Sequence, residues 1–219
     1  MGDLTPYSGG FVRPEAAVRR DLESFAALLK KWNAVQNLVS RETENALWSR
    51  HIVDSLQILP LLRPTDERIL DVGSGGGLPA LPLAIALKDG PAHITMVEPI
   101  GKKVAFLRQV TRELGLSADV HAGRTDSFDS RETSTDGVRA DFDVITSRAL
   151  AALPTLLELI HPFFGPETRA ILHKGRDHAV ELVESRLAWD FDVVITKSAT
   201  DEAGVLLEIS NLRRKTSRA

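Results

Sequence analysis

Asp71 and four glycines, Gly73, Gly75, Gly76 and Gly77, stand together in the run ILDVGSGGGLPALPLAIA, residues 69–86. Glycine takes positive φ without steric cost and lets another molecule approach the backbone closely. A short apolar run before the glycines reads as a strand, and the apolar run after them as a helix. The first turn of such a helix has free N–H groups that face a ligand. A second apolar run, Ile94 to Val97, ends in Glu98. An acidic residue at the tip of the second strand receives the hydroxyl pair of a ribose. These residue types, so spaced, describe a seat for a nucleoside-containing cofactor.

Two ligands fit the spacing. Read from Gly73, the pattern D-x-G-x-G-x-G suits S-adenosylmethionine, with Asp71 facing the cationic amino-acid moiety. Read from Gly75, G-x-G-x-x-A also fits a dinucleotide. The first register is preferred, because a pyrophosphate would be repelled by the Asp71 carboxylate. A tight strand-to-helix turn with no ligand is the plain alternative, and it leaves four glycines in five positions unexplained.

The elements that must hold these residues alternate along the chain. Strands are expected at 68–72, 93–98, 118–122, 141–147, 168–174, 190–196 and 204–210, and helices at 77–88, 101–115, 149–162 and 176–188. Strand–helix alternation implies a parallel sheet with right-handed crossovers. The last two strands have no helix between them, so they form an antiparallel hairpin through Ser198 to Gly204. The expected fold is α/β: a class I S-adenosylmethionine-dependent methyltransferase, a Rossmann-like seven-stranded sheet with a terminal antiparallel hairpin plus an N-terminal helical cap. Four parts are expected: a flexible N-terminus at 1–13, the cap at 14–64, the methyltransferase domain at 65–211 and a basic tail at 212–219. In the cap, Val18, Leu22, Phe25, Leu29 and Trp32 recur at helical spacing from Pro14 on, a turn spans Asn33 to Ser40, and a second helix runs from Thr43 to Leu62. Ser127 to Ala140 reads as a polar surface loop.

Composition narrows the class. The chain of 219 residues has no cysteine, which excludes disulfides and thiolate metal sites. No apolar run reaches the length of a membrane span. The segment MGDLTPYSGGFVRP lacks the regions of a signal peptide. A cytoplasmic enzyme is expected. The net charge of −3 means that any nucleic acid must be held by a local basic patch. No His/Asp/Glu spacing suggests a metal.

The stretches KKWNAVQNLVS, RHIVDS, DVGSGGGLPALPLA, EPIGKKVAFLRQVTRELGL, DVITSRALA and LHKG together resemble the glucose-inhibited division protein B (RsmG) family. The resemblance covers roughly Lys30 to Gly175. Ala80, Val39 and Glu98 stand where that family usually has Gly, Thr and Asp. The resemblance implies S-adenosylmethionine-dependent methylation of guanine N7 in the decoding-centre hairpin of 16S ribosomal RNA, with that RNA or the 30S subunit as partner. It places cofactor contacts at Gly73, Leu78, Glu98, Thr125, Asp126 and Arg148. Arg148 has a planar fork that suits phosphate, a guanine edge or the cofactor carboxylate.

Lys102 and Lys103 open a helix, where cations oppose the macrodipole. A polyanion at that edge explains them, and a solvated helix face is the bland alternative. Lys102, Lys103, Arg148 and Lys174 are the expected RNA contacts. Arg50, His51 and Asp54 lie on the second cap helix. There Arg50 and Asp54 are spaced to pair with each other, and His51 suits a satisfied core position. The resemblance, with R-H-x-x-D-S here, implies instead that this helix closes over the pocket. The run Arg213, Arg214, Lys215 and Arg218 suits phosphate contact or is a solvated tail. Guanine N7 carries a lone pair and no proton, so no general base is required and no catalytic acid–base residue is expected. The competing readings are a small-molecule methyltransferase, a nicotinamide-dependent oxidoreductase and a non-catalytic binding module.

Overall fold

The computed structural model describes residues 3–40, 46–129 and 142–216. One seven-stranded sheet carries the fold, in the order β3-β2-β1-β4-β5-β7-β6. Its strands are β1 (Arg68–Val72), β2 (His93–Glu98), β3 (Ala118–Ala122), β4 (Val144–Arg148), β5 (Arg169–Lys174), β6 (Trp189–Lys197) and β7 (Val205–Arg214). β1 to β5 pair in parallel, and β7 runs antiparallel to both β5 and β6. The strand order reverses between β1 and β4, and ligands of such sheets sit at the carboxyl ends there.

β1 is buried from Ile69 to Val72, as befits a parallel strand covered on both faces. One face packs under α1 (Glu15–Gln36), α2 (Ala80–Ala86) and α3 (Gly101–Leu114), through Leu22, Phe25, Leu29, Leu81, Ile85 and Phe106. The other face packs under α4 (Leu153–Ile160), through Leu153, Leu156, Leu157, Ile160, Trp189 and Leu207. α5 (His178–Ala188) lies at the rim. The expected sheet, crossovers and terminal hairpin are all present.

Several expected boundaries differ, each for a local reason. The helix expected at 77–88 is α2, which starts at Ala80, because Gly77 has φ +77° and cannot join a right-handed helix. The helix expected at 149–162 starts at Leu153, since Ala149 also has positive φ. The helix expected at 176–188 starts two residues later, at His178. The strand expected at 141–147 is β4, Val144–Arg148. α1 continues through the turn expected at Asn33 and ends before Asn37, which has φ 49°. Asn33 Oδ1 accepts the Val39 N–H at 2.9 Å and stabilises that end.

The second cap helix is not one regular helix. A π-helical segment, Trp48–Val53, leads into a single α-turn, Asp54–Leu56, and a 3-10 turn, Leu59–Leu61, that contains Pro60. Proline lacks the N–H that a continuing helix needs. The expected start of that helix, at Thr43, and most of the polar loop to Ala140 lie outside the described residues.

Two expectations about the termini are corrected. The stretch 1–13 is not loose where it is described. Thr5–Gly10 forms a 3-10 helix, Leu4 is fully buried and Tyr7 nearly so. Arg13 fixes the exit of this segment by donating to Ile85 O at 3.0 Å and pairing with Asp21 at 2.9 Å. At the other end, the basic tail expected from 212 begins inside β7, which runs to Arg214 and buries Leu212.

Candidate cofactor and substrate site

The chain turns sharply after β1. Gly73, Gly75 and Gly77 have φ of +70°, +55° and +77°, a region that side chains rarely adopt. The Gly73 N–H donates to Val97 O at 2.9 Å, which ties the turn to β2. Glu98 is 3 % exposed. One carboxylate oxygen accepts the Gly75 N–H at 2.8 Å and the other the Ile100 N–H at 2.9 Å. A carboxylate has about four lone-pair sites, so acceptor capacity remains for a diol. Glu98 thus shapes the glycine turn as well as marking the β2 tip.

A Cβ built on Gly73 lies 2.6 Å from Leu150 Cδ1, so the space directly over this backbone is taken by Leu150. Leu150, half-exposed, lies over it. Asp71 is 1 % exposed. Its Oδ1 accepts the Thr146 hydroxyl at 2.7 Å, and its Oδ2 has no hydrogen-bond partner among the described residues. Burial raises the carboxyl to about 6, with Glu98 adding to the rise. A buried acceptor without a partner, beside a glycine turn, suits a cationic ligand group. The residues present therefore fit an S-adenosylmethionine seat.

Three of the remaining expected cofactor contacts, Leu78, Thr125 and Asp126, lie on the turns that follow β1 and β3. Leu78 is buried in the turn before α2, with its N–H on Ser74 O at 3.3 Å. Thr125 is buried in a single 3-10 turn after β3. That turn adjoins the β2 tip, because the Gly123 N–H donates to Glu98 O at 3.1 Å. Asp126 is exposed and pairs with Arg124 at 3.0 Å, which holds its carboxyl below the usual range.

Arg148 ends β4 and is held from three sides. Its Nη2 donates to Arg50 O at 2.9 Å and to His51 Nδ1 at 2.7 Å, and its Nε lies 3.4 Å from Asp54 Oδ2. Arginine has no acceptor, so His51 Nδ1 carries a lone pair. Burial, then the Arg148 charge, pushes the His51 pKa down to about 4, which leaves the ring neutral. Asp54 also faces His173 on β5: His173 Nε2 lies 3.0 Å from Asp54 O.

These groups line a cleft of about 290 Å³ between the cap, the ends of β4 and β5, and the β6–β7 turn. Gln57 joins cap to turn. Its amide donates to Asp54 Oδ1, Ser198 Oγ and Thr200 Oγ1, and its carbonyl accepts the Ala199 N–H at 2.6 Å. Gln57, His173 and Thr200 were not legible as site residues. They are brought together by chain segments more than a hundred residues apart, and no local spacing marks them.

The expected RNA contacts are dispersed. Lys102 is exposed and Lys103 half-buried at the start of α3, beside the β2 tip. Lys174 lies inside the protein instead, 8 % exposed. Its ammonium pairs with Glu181 at 2.5 Å and donates to Ala151 O at 3.0 Å, so a phosphate would reach it only by opening that pair. Arg214 pairs with Glu158, and Lys215 lies 3.6 Å from Asp190, while Arg213 is exposed. Arg218 lies outside the described residues. No described helix is long and apolar enough to cross a membrane.

The chain resembles known proteins in sequence and in fold. The family model described as GidB, rRNA small subunit methyltransferase G, matches residues 18–205. "Ribosomal RNA small subunit methyltransferase G" of Bartonella quintana is 45% identical over 194 residues, 88% of this chain and 86% of the relative. The Brucella ovis protein of the same name is 44% identical over 197 residues, 89% and 88% of the two chains. Among solved structures, the glycopeptide N-methyltransferase MtfA with S-adenosylmethionine superposes with a TM-score of 0.55 at 14% identity, covering 73% of this chain and 93% of that one. A SAM-dependent methyltransferase from Aquifex aeolicus gives 0.56 at 12% identity, covering 75% and 92%. At such identities the structures speak to the fold, a class I methyltransferase fold. The chain belongs to the rRNA small subunit methyltransferase G (GidB) family.

Proposed function

We propose that this member of the family methylates 16S ribosomal RNA with S-adenosylmethionine, at N7 of a guanine in the decoding-centre hairpin. The observation that carries the reading is the glycine turn with its orphaned Asp71 oxygen and the Glu98 tip, in a chain matched by the family model over 188 positions, residues 18–205. The substrate is 16S ribosomal RNA, alone or in the 30S subunit, and the work is done in the cytoplasm.

Gly73 gives backbone approach, Leu78 and Thr125 wall the seat, Asp126 stands at its rim, and Glu98 has the lone pairs for a ribose. Bound there, S-adenosylmethionine would supply an activated methyl group, with its sulfonium sulfur as the leaving group for transfer to N7. The chain's part is alignment, which is worth up to about 7–11 kcal/mol of barrier. Arg148, clamped by the cap, stands at the mouth of the neighbouring cleft. No side chain needs to take a proton, and the neutral His51, already accepting from Arg148, is not required as a base. The methylated purine is cationic, and Asp54 on the cleft wall offsets that charge.

The test is transfer of tritiated methyl from S-adenosylmethionine to 30S subunits and to deproteinised 16S RNA. Cleavage chemistry selective for 7-methylguanine then locates the label. Label on a base other than guanine, or on neither substrate, would overturn the reading.

A further inference from the structure

We infer that Arg148 and His173 form a donor–acceptor pair that reads the O6 and N1–H edge of the target guanine and rejects adenine. The inference rests on the reading that the substrate base is a guanine.

The two residues are directly opposed in the parallel β4–β5 register. Side chains so opposed leave the sheet on the same face. Both line the cleft of about 290 Å³. Each carries a buried polar atom with no hydrogen-bond partner among the described residues: Arg148 Nη1 and His173 Nδ1. Such atoms are uncommon, because an unpaired buried polar group is costly.

Their senses are opposite and fixed by their neighbours. A guanidinium nitrogen only donates. His173 Nε2 lies 3.0 Å from Asp54 O, a carbonyl that only accepts, so Nε2 holds the proton. Burial lowers the pKa of the ring against the opposing pull of Asp54, so the ring is neutral and Nδ1 is a lone pair. The residues lining the cleft therefore hold one unpaired donor, from β4, and one unpaired acceptor, from β5.

Guanine presents the complement. Along one side of the purine, N7, O6 and N1–H follow in order. The glycine turn, Arg148 and His173 follow in the same order across β1, β4 and β5. A base seated with O6 toward Arg148 and N1–H toward His173 turns N7 toward the glycine turn. Adenine has an amino donor at position 6 and an acceptor at N1, so both contacts become repulsive. Asp54 positions the two readers, with Oδ2 3.4 Å from Arg148 Nε and its backbone oxygen on His173.

The experiment uses 30S subunits reconstituted around 16S RNA with guanine, inosine or 2-aminopurine at the target. Inosine keeps N7, O6 and N1–H, while 2-aminopurine keeps N7 and loses the other two. The unaltered protein should methylate guanine and inosine alike and 2-aminopurine far less. His173→Leu should shrink the guanine-to-2-aminopurine ratio of kcat/KM roughly tenfold to a hundredfold, the factor carried by one good base-edge contact. His173→Gln, which keeps an acceptor, should restore the ratio. Equilibrium binding of the same subunits, with the cofactor seat filled by the demethylated product, should follow the same order. A purely structural His173 would lower both rates and leave the ratio unchanged, and that result overturns the inference. Methyl transfer to guanine N7 with no such ratio effect spares the proposed function, whereas no transfer to any 16S guanine overturns both.

Discussion

At Gly73 the backbone is both strained for any other residue and covered by a neighbour. Its φ is +70°, and a Cβ would meet Leu150 Cδ1 at 2.6 Å. Left-handed backbone costs a substituted residue about 1–2 kcal/mol, a modest part of a domain's stability of about 5–15 kcal/mol. Gly73→Val should therefore fold but lose S-adenosylmethionine affinity, and calorimetry showing an unchanged affinity would remove Gly73 from the cofactor seat. Asp71 makes a second residue-scale test. Its carboxyl is held at about 6, above the usual 3.8, chiefly by burial. Between those values the folded chain keeps a proton that the unfolded chain has released. Stability contributed by this group therefore falls as pH rises from about 4 to 6 and stays lower above. A shift of that size corresponds to about 3 kcal/mol. His51, pushed down to about 4, slopes the opposite way in the same window, so the variant must be compared with the parent at each pH. Asp71→Asn should gain roughly 1–3 kcal/mol over the parent in denaturant unfolding at pH 7.5, gain nothing near pH 4, and bind cofactor less well. An equal difference at both pH values would show that the carboxyl is not strained by burial. The glycine turn and the Glu98 tip were legible because positive φ and strand ends leave a local signature. Leu150 and His173 leave none, since their roles exist only once β4, β5 and the cap meet.

Among elements, the terminal hairpin and the cap hold each other. Gln57 is 8 % exposed and spans the gap, donating to Ser198 and Thr200 at 3.2 Å each while accepting the Ala199 N–H at 2.6 Å. An exposed pair, Arg50 with Asp201 at 3.3 Å, lies above it and contributes little by comparison. Gln57→Ala would leave the Ala199 N–H without its partner, while the Ser198 and Thr200 hydroxyls keep each other and Asp54. The loss of such a part-buried bond costs about 0.5–1.5 kcal/mol. Unfolding should show that loss, and amide exchange at Ala199 should speed up while exchange in β1 is slowed no less than before. Unchanged exchange at Ala199 would mean that the turn holds its shape without the cap. The alternation of strands and helices, and the antiparallel hairpin, were readable from period and length. Boundaries were less so where a single φ decides them: Gly77 and Ala149 delay α2 and α4. The broken cap helix was unreadable as such, because π-helical turns have no separate sequence period.

Across the whole molecule, charge separates the two ends of the RNA question. The chain is net −3, so phosphate binding depends on where the cations stand rather than on how many there are. The N-terminus looked loose because its apolar residues are few, yet Leu4 and Tyr7 enter the main core; two side chains suffice to anchor a segment when both are buried. The C-terminal cations looked like a free tail, yet Arg214 stacks on Trp189, with 5.3 Å from its guanidinium to the ring, and pairs with Glu158. Removing residues from 212 on would cut into β7, so truncation tests the sheet as much as any clamp. Lys102 and Lys103 differ, since they stand at the start of α3 on the carboxyl edge of the sheet, where a helix N-terminus disfavours cations. A polyanion laid along that edge would account for their place, where a solvated helix face would not need them. Each phosphate contact contributes about 0.7–0.9 to the slope of log affinity against log salt. Lys102→Ala with Lys103→Ala should therefore flatten the slope for 16S RNA by about 1.4–1.8, measured by anisotropy across a salt series, and should leave S-adenosylmethionine affinity as it was. Arg213→Ser, an exposed cation on the far side of the hairpin, serves as the comparison. A slope unmoved by the lysine pair but flattened by Arg213→Ser would shift the RNA path from the β2–α3 edge to the β7 end of the sheet.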